Sequence, residues 1–585
     1  MEHDIVFPVR RQSAACHGDE ALVMTRVAER VAELRSMYDA PKACAADLLC
    51  DRHPGDRVAF RVVDVDLTFR DVTFAELADR SRRVAAALAE LGVQPGDRVA
   101  TVMGKSLDLV VALLGIWRRG AVHVPLFTAF AESTVAARLA ASRAKAVVCD
   151  AAHRHKVGSG KDQGPAGVQV IIAGTQHGHV QPGDVTMGEW MTAYQPDAGA
   201  AASVAVGGHG VLVQLYTSGT TGTPKAVPLP VKGLAALHTY LEYGLDISDD
   251  DVYWNAADPG WGYGLFYGII GPLAAARRNL LLASTFDPEL TWEVMARFGV
   301  TNFAAAPTVF RALRGCCPPN AHELPLRRLS SAGEPLTADV ISWATETLGV
   351  PVRDHYGQSE HGMVVVNGWH GDIKRPLKNG SMGCDMPGWR TRVLLTDKDE
   401  IAPPLTVGRI AIDVPASALL WFPGYFDASV QTAERYSPDR RWYYTGDTGW
   451  RDEDGYLFFT ARDDDVIIMA GYRIGPFEVE SALVSHPHVA EAAVVGVPDA
   501  LRGEVIEAFI VLSEGVAPSP ALATQLQQHV KQHYAAHAYP RSIHFVPALP
   551  KNPSGKLQRS VLRQQRNHGV NGSPYSNPGS EAAVA

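Results

Sequence analysis

The sequence predicts an α/β fold of two or more domains, and two observations lead there. Strand-like and helix-like segments alternate from Val58 to Leu215, the pattern of parallel sheets covered by helices. The chain also runs to 585 residues, more than one hydrophobic core ordinarily serves. With 46% hydrophobic and 20% charged residues it reads as a globular chain, neither disordered nor fibrous.

Taken in order, the stretch from Met1 to Tyr38 offers one amphipathic helix, with Leu22, Val27, Val31 and Leu34 near helical spacing and no chemistry of its own. Val58 to Val62 is a strand. Thr73-Phe74-Ala75-Glu76 is a capping box opening a helix that stops at Gly92, with Leu77, Val84, Leu88 and Leu91 as its buried stripe. A turn at Val93 to Asp97 leads into a strand at Val99 to Met103, a helix from Leu107 to Arg119 and a strand at Val122 to Leu126. Val147-Val148 and Val170-Ile171-Ile172 are further strands. The His- and Lys-bearing segment Asp150 to Asp162 reads as a solvated loop.

Several classes are excluded by charge and composition. A formal net charge of −9 leaves no basic excess to replace the counterions of a nucleic acid. Seven cysteines without a C-x-x-C pair, two of them the adjacent Cys316-Cys317, fit neither a disulfide framework nor a zinc cluster, so a reducing cytoplasm is expected. The start, Met1-Glu2-His3-Asp4, has no signal-peptide core. The longest apolar region, Gly262 to Ala276, is broken by glycines and Pro272 and is too short for a membrane span.

The chemistry centres on Tyr216-Thr217-Ser218-Gly219-Thr220-Thr221-Gly222-Thr223-Pro224-Lys225, directly after the apolar run Val211 to Leu215. Glycines allow close backbone approach, amides and hydroxyls donate to anionic oxygens, and the lysine adds a positive charge, so a polyphosphate is the natural guest. The spacing is not that of a Walker loop. A plain Ser/Thr-Gly surface loop is the competing reading.

The ordered string resembles the phosphate-binding signature of adenylate-forming enzymes, the superfamily of acyl-CoA synthetases, luciferases and peptide-synthetase adenylation domains; Ala226 stands where that signature ends in glycine. Its partners follow in family order. Asp258-Pro259-Gly260-Trp261-Gly262 resembles the D-x-G-W segment of the acetate and medium-chain acyl-CoA synthetases, which implies an acyl pocket of Trp261, Gly262, Tyr263, Ala332 and Gly357. Gly333-Glu334-Pro335 resembles the turn that walls the adenine. Asp354-His355-Tyr356-Gly357-Gln358-Ser359-Glu360 resembles the Y-G-Q-T-E motif, with Ser359 keeping a hydroxyl for the α-phosphate and Glu360 placed, with Thr217, to hold Mg²⁺. His355 and His361 are expected in supporting or surface roles. Tyr444-Thr445-Gly446-Asp447 supplies a ribose-binding aspartate. Ala461 to Pro476 resembles the interdomain hinge, which implies ribose contact at Arg462, a pivot at Asp464, nucleotide contact at Arg473 and a coenzyme A passage at Gly471, Tyr472 and Arg473. Pro550 to Arg559 resembles the P-K-x-x-x-G-K motif and makes Lys556 the adenylation lysine.

The resemblance implies a large AMP-binding domain over 40–463 with a β-barrel-like subdomain, a small mobile α+β domain over 464–566, an extension at 1–39 and a disordered tail at 567–585. It implies a cytoplasmic, ATP- and Mg²⁺-dependent acid–thiol ligase that forms an acyl-adenylate and passes the acyl group to coenzyme A. Its partners are small molecules, with a homodimer left open. Catalysis falls to Lys556, Glu360 and Ser359, with the Thr217 to Lys225 loop. Acetate-specific relatives carry tryptophan at the place of Gly357 and valine at that of Ala332, so an acid longer than acetate is expected: medium-chain, branched or aromatic. The alternatives are a ligase loading a carrier-protein thiol, an acetyl- or propionyl-CoA synthetase, and, from another class, a non-catalytic nucleotide sensor.

Overall fold

The computed structural model describes residues 14–158, 168–174, 180–195, 199–217, 225–463, 465–469, 472–499, 502–535, 537–551, 557–567 and 575–576. Three sheets organise them, of thirteen, seven and six strands.

The seven-stranded sheet is contiguous in sequence, from Arg98–Val102 through Lys225–Pro230. All its pairings are parallel except the last, Val211–Thr217 against Lys225–Pro230. Helix Phe74–Glu90 crosses onto helix Leu107–Arg118 beside it. The first is amphipathic, burying Leu77, Val84 and Leu88. The second is apolar around most of its circumference and correspondingly buried, and Ser106 caps it by accepting from Leu109 N at 3.1 Å. At the first helix only half of the expected capping box forms. Thr73 accepts from Glu76 N at 3.3 Å, but the Glu76 carboxylate turns outward to Arg70 and Arg80, whose charges compete successfully for it.

The thirteen-stranded sheet is discontinuous. Its parallel half begins with Val58–Val63 beside Asn279–Leu282 and continues through Tyr253–Asn255, Asn302–Ala305, Arg328–Ala332 and Val352–Gln358. Beyond Val352–Gln358 every pairing is antiparallel, out to Thr391–Leu394 at the edge. The resemblance implies a barrel-like subdomain without assigning its strands, and these antiparallel strands do not form one. They extend the same open sheet, and among the described residues no barrel closes, because Thr391–Leu394 and Phe69–Thr73 stand at opposite edges.

Helix Ala14–Tyr38 lies across this body. Val27, Val31, Leu34 and Tyr38 are buried, whereas Leu22 is 72% exposed and stands outside the stripe. Each buried aliphatic side chain contributes about 1.5–3 kcal/mol. Arg30 adds a two-pronged contact to Glu242, at 2.6 and 3.1 Å. The C-terminal half of helix Ala14–Tyr38 is thus packed against the large body.

The third sheet gathers Ile467–Met469, Tyr472–Ile474, Val489–Asp499, Gly503–Leu512, Ser542–Phe545 and Tyr575–Ser576 around its own core, with helices Pro476–Val484 and Pro520–His533 packed together. Within the tail expected to be disordered, Tyr575–Ser576 pairs antiparallel with Ser542–Phe545; the rest of 568–585 lies outside the described residues. The apolar region Gly262 to Ala276 is a run of three short helical pieces buried inside the large body, and no described helix is long and apolar enough to cross a membrane.

Candidate active site

Parallel pairing decides where the motifs meet. Asn302–Ala305, Arg328–Ala332 and Val352–Gln358 run side by side in one direction, so the segments after them all leave the same edge of the sheet. Open parallel sheets bind ligands at that edge. A cleft of about 250 Å³ lies there, lined by Gly333 to Thr337, Asp354 to Gln358, Asp447 and Arg462 on one side and by Pro476, Glu480 and Arg559 on the other.

Gly333 turns the chain with φ +102°, a left-handed conformation that favours glycine, and a Cβ there would sit 2.6 Å from the Trp261 ring. The expected adenine wall and the Trp261 turn are therefore in contact. Beside Gly333, Glu334 is held by Arg311 at 3.0 Å and by the Thr308 hydroxyl at 3.4 Å. One residue after Trp261, a Cβ at Gly262 would lie 3.4 Å from Ser359 Oγ.

Asp447 is the focus of the cleft. Its Oδ2 accepts from the Tyr356 hydroxyl at 2.5 Å and from Gln358 Nε2 at 2.7 Å, and its Oδ1 accepts from Arg462 Nη1 at 3.2 Å. Asp447 and Arg462 are also cross-strand partners. Three donors from two motifs converge on one carboxylate that is 3% exposed.

Glu360 is buried just beyond. Its Oε1 accepts from the Tyr425 hydroxyl at 2.8 Å, and Arg435 Nε donates to the same hydroxyl at 3.0 Å. Lys225 Nζ stands 5.3 Å over the Tyr425 ring, so the last residue of the polar loop is beside the acidic group. Thr217 and Lys225 close the base of that loop as cross-strand partners, with Thr217 Oγ1 3.4 Å from the Lys225 carbonyl. The site residues fit Mg²⁺ by their chemistry. Glu360 Oε2 carries no hydrogen bond among the described residues, and a free carboxylate oxygen is the hard oxygen donor that suits this ion when phosphates and hydroxyls complete its shell.

Burial sets the protonation of the strand Val352–Gln358. It pushes the Asp354 carboxyl up to about 8, against hydrogen bonds from the Leu336 and His355 amides. It pushes His355 down to about 3 and His361 down to about 4, so both are neutral. His355 Nδ1 pairs with the Tyr240 hydroxyl at 2.6 Å, and His361 Nδ1 lies 2.9 Å from the Gly362 carbonyl. Both histidines are core residues; neither is at the surface. Tyr263 is likewise buried, tilted against Trp261 and Tyr267.

One expectation changes its meaning. A Cβ at Gly357 would lie 2.2 Å from the Gly362 carbonyl oxygen and 2.7 Å from Met363 Cα. The position points into the neighbouring strand at a register shift, and its lack of a side chain is a requirement of that packing. At this position the missing side chain thus has a structural reason of its own.

Ser218, Gly219, Thr220, Thr221, Gly222, Asp464, Gly471 and Lys556 lie outside the described residues, as do the side chains of Tyr472 and Arg473. Three residues that pattern reading missed, Arg311, Tyr425 and Arg435, belong to the surroundings of the cleft. Arg311 sits one helical turn after the Ala306-Pro307-Thr308 segment, a spacing that could have nominated it. Nothing in the local sequence singles out the other two.

Two family models match the chain, "AMP-binding enzyme" over residues 48–426 and "AMP-binding enzyme C-terminal domain" over 478–556. An acetyl-coenzyme A synthetase of Bacillus subtilis is 35% identical, with the match covering 89% of this chain and 90% of that protein. The mitochondrial acyl-coenzyme A synthetase ACSM3 of Rattus norvegicus is 34% identical over 84% of each. Among solved structures, the Brucella canis acyl-CoA synthetase superposes with a TM-score of 0.72 at 41% identity, covering 94% of this chain and 99% of that one.

Proposed function

Because this chain belongs to the family of AMP-binding enzymes, we propose that it is an AMP-forming acyl-CoA synthetase that activates a carboxylic acid with ATP and Mg²⁺ and then acylates coenzyme A. In the first half-reaction a carboxylate oxygen bonds to the α-phosphorus of ATP as pyrophosphate leaves. In the second, the thiolate of coenzyme A bonds to the acyl carbon and AMP leaves. The observation that supports this most is the convergence of Tyr356, Gln358 and Arg462 on Asp447, with Glu360 buried close by.

The residues divide the work. Asp447 has its orientation fixed by three donors of the chain itself, and a carboxylate so held accepts from paired ribose hydroxyls. Gly333 to Pro335 offers backbone to a flat ring, and Asp354, raised to about 8, carries a proton to donate there at neutral pH. Glu360 and Thr217 would hold Mg²⁺, which supplies positive charge against the phosphate oxygens. Lys225 faces the same side. Lys556 is assigned the α-phosphate from its motif, with Asp464 as pivot and Gly471 beside the coenzyme A path.

For the acid, we propose an acyl group longer than acetate. The small, fully buried Ala332 next to the Trp261–Gly333 contact supports it; Gly357 lends no support. The test is pyrophosphate release from ATP and Mg²⁺ across acids from acetate to decanoate plus benzoate, with and without coenzyme A. Turnover that requires coenzyme A and is faster with an acid longer than acetate is the expected result. Release that ignores coenzyme A would move the acceptor to a carrier thiol, and preference for acetate would overturn the acid assignment.

A further inference from the structure

Tyr425 has one hydroxyl hydrogen, and it goes to Glu360 Oε1 at 2.8 Å. The lone pair left on the oxygen accepts from Arg435 Nε at 3.0 Å. No direct ion pair within 4 Å joins Arg435 to Glu360 among the described residues, and the hydrogen-bonded path between the two charges runs through the phenol. The second arm of Arg435 reaches elsewhere: Nη1 donates to the carbonyls of Thr445 at 3.1 Å and Tyr444 at 3.4 Å, in the strand Trp442–Arg451 that carries Asp447. That strand makes room for it at Gly446, since Nη1 lies 2.8 Å from where a Cβ there would stand.

The loop bearing both residues is itself braced. Gly424 has φ +120°, Tyr425 N donates to Thr432 Oγ1 at 2.9 Å, and the same threonine hydroxyl donates to the Ala428 carbonyl at 2.8 Å. The Phe422 ring packs edge-on at 5.0 Å from the Tyr425 ring. Tyr425 is thereby braced from its backbone and its ring, and only 6% of it is exposed.

We propose that Tyr425 and Arg435 are positioning residues: Tyr425 fixes the Glu360 carboxylate so that Oε2 faces the metal position, and Arg435 ties that carboxylate to the strand carrying Asp447, so that the phosphate end and the ribose end of the nucleotide site keep one spacing. This rests on the functional reading above. Partners that orient a metal-binding carboxylate are typically worth ten- to hundredfold in metal affinity.

The test uses the full chain with Tyr425→Phe, Arg435→Lys and Arg435→Met. Calorimetry measures binding of AMP without metal and of a non-hydrolysable ATP analogue over a Mg²⁺ titration, and acid-dependent ATP–pyrophosphate exchange is followed alongside. Tyr425→Phe is expected to raise the half-saturating Mg²⁺ concentration about tenfold and to leave AMP affinity within about twofold. Arg435→Met is expected to weaken both, because it also frees the strand segment carrying Asp447, and Arg435→Lys to recover part of the Mg²⁺ effect. Unchanged Mg²⁺ dependence in Tyr425→Phe overturns the proposal. So does equal loss of AMP and metal-dependent binding in that variant, which would mark a general packing defect. If the wild-type chain shows no exchange with any acid, the enzyme reading fails, while the calorimetric arm still decides the relay.

Discussion

Arg559 places Nη2 2.8 and 2.7 Å from the two carboxylate oxygens of Glu480, and its Nη1 reaches Asp465 at 3.5 Å. Arg563 holds the other oxygen of Asp465 at 2.5 Å, and Glu480 also accepts from Val494 N at 2.8 Å. The last described helix is thereby pinned to the residue after the expected pivot and to the sheet behind it.

Replacing Glu480 by Gln keeps the shape and strips the counter-charge from a largely buried guanidinium. The third sheet is expected to lose about 3 kcal/mol. Hydrogen exchange in Val489–Asp499 and Gly503–Leu512 should accelerate while the seven-stranded sheet is unaffected; unchanged exchange would show the pair to be energetically idle.

Asp354 gives a pH dependence with a definite sign. Its carboxyl titrates at about 8 in the folded chain and in the ordinary carboxylate range when unfolded. Between those values the native state holds a proton that the unfolded state has released, so this group's contribution to stability falls as pH rises through that window. Asp354→Asn removes the titration. The variant's Tm relative to wild type is expected to be higher at pH 8.5 than at pH 5.5, and an equal gap at both would contradict the assignment.

Gly357→Ala separates packing from specificity. A methyl group 2.2 Å from the Gly362 oxygen forces two strands apart. The expected result is destabilisation of about 3 kcal/mol with turnover of all acids reduced alike. A stable variant that merely changes its preferred acyl length would restore position 357 to the acyl pocket.

Leu34 is fully buried on the N-terminal helix. Leu34→Ala is expected to cost about 3 kcal/mol in the unfolding of the large body, read in urea with nucleotide present and absent. Loss of less than about 0.5 kcal/mol would mean that the helix is an ornament.

Much of this was legible because its signals are local. Apolar runs bounded by Gly, Pro and Asp located the strands Arg98–Val102, Val122–Pro125 and Gln169–Ala173. The motifs at Tyr216, Gly333, Tyr356 and Asp447 could be placed by their order alone. What stayed hidden depends on distance through space. Tyr425 and Glu360 are far apart along the chain, and neither has a spacing that announces the other. Alternation in the antiparallel strands from Ser381 to Arg462 says which faces are buried and nothing about whether the sheet's two edges meet, so an open sheet and a barrel read alike. At Gly357 the missing side chain was visible, but its direction was set by a register shift that only the folded pair displays.

The pairing of Val58–Val63 with Asn279–Leu282 has a consequence for the order of synthesis. Phe60 leaves the ribosome long before its partner Asn279 exists. Every strand of the seven-stranded sheet, from Arg98 to Pro230, emerges in that interval and finds all its partners within it. The nascent chain can therefore complete its inserted sheet first, while the Val58–Val63 edge of the hairpin Val58–Thr73 waits for its partner. Bare strand edges are where nascent chains mispair, so this is the stretch that a chaperone would have to shield until residue 282 is made.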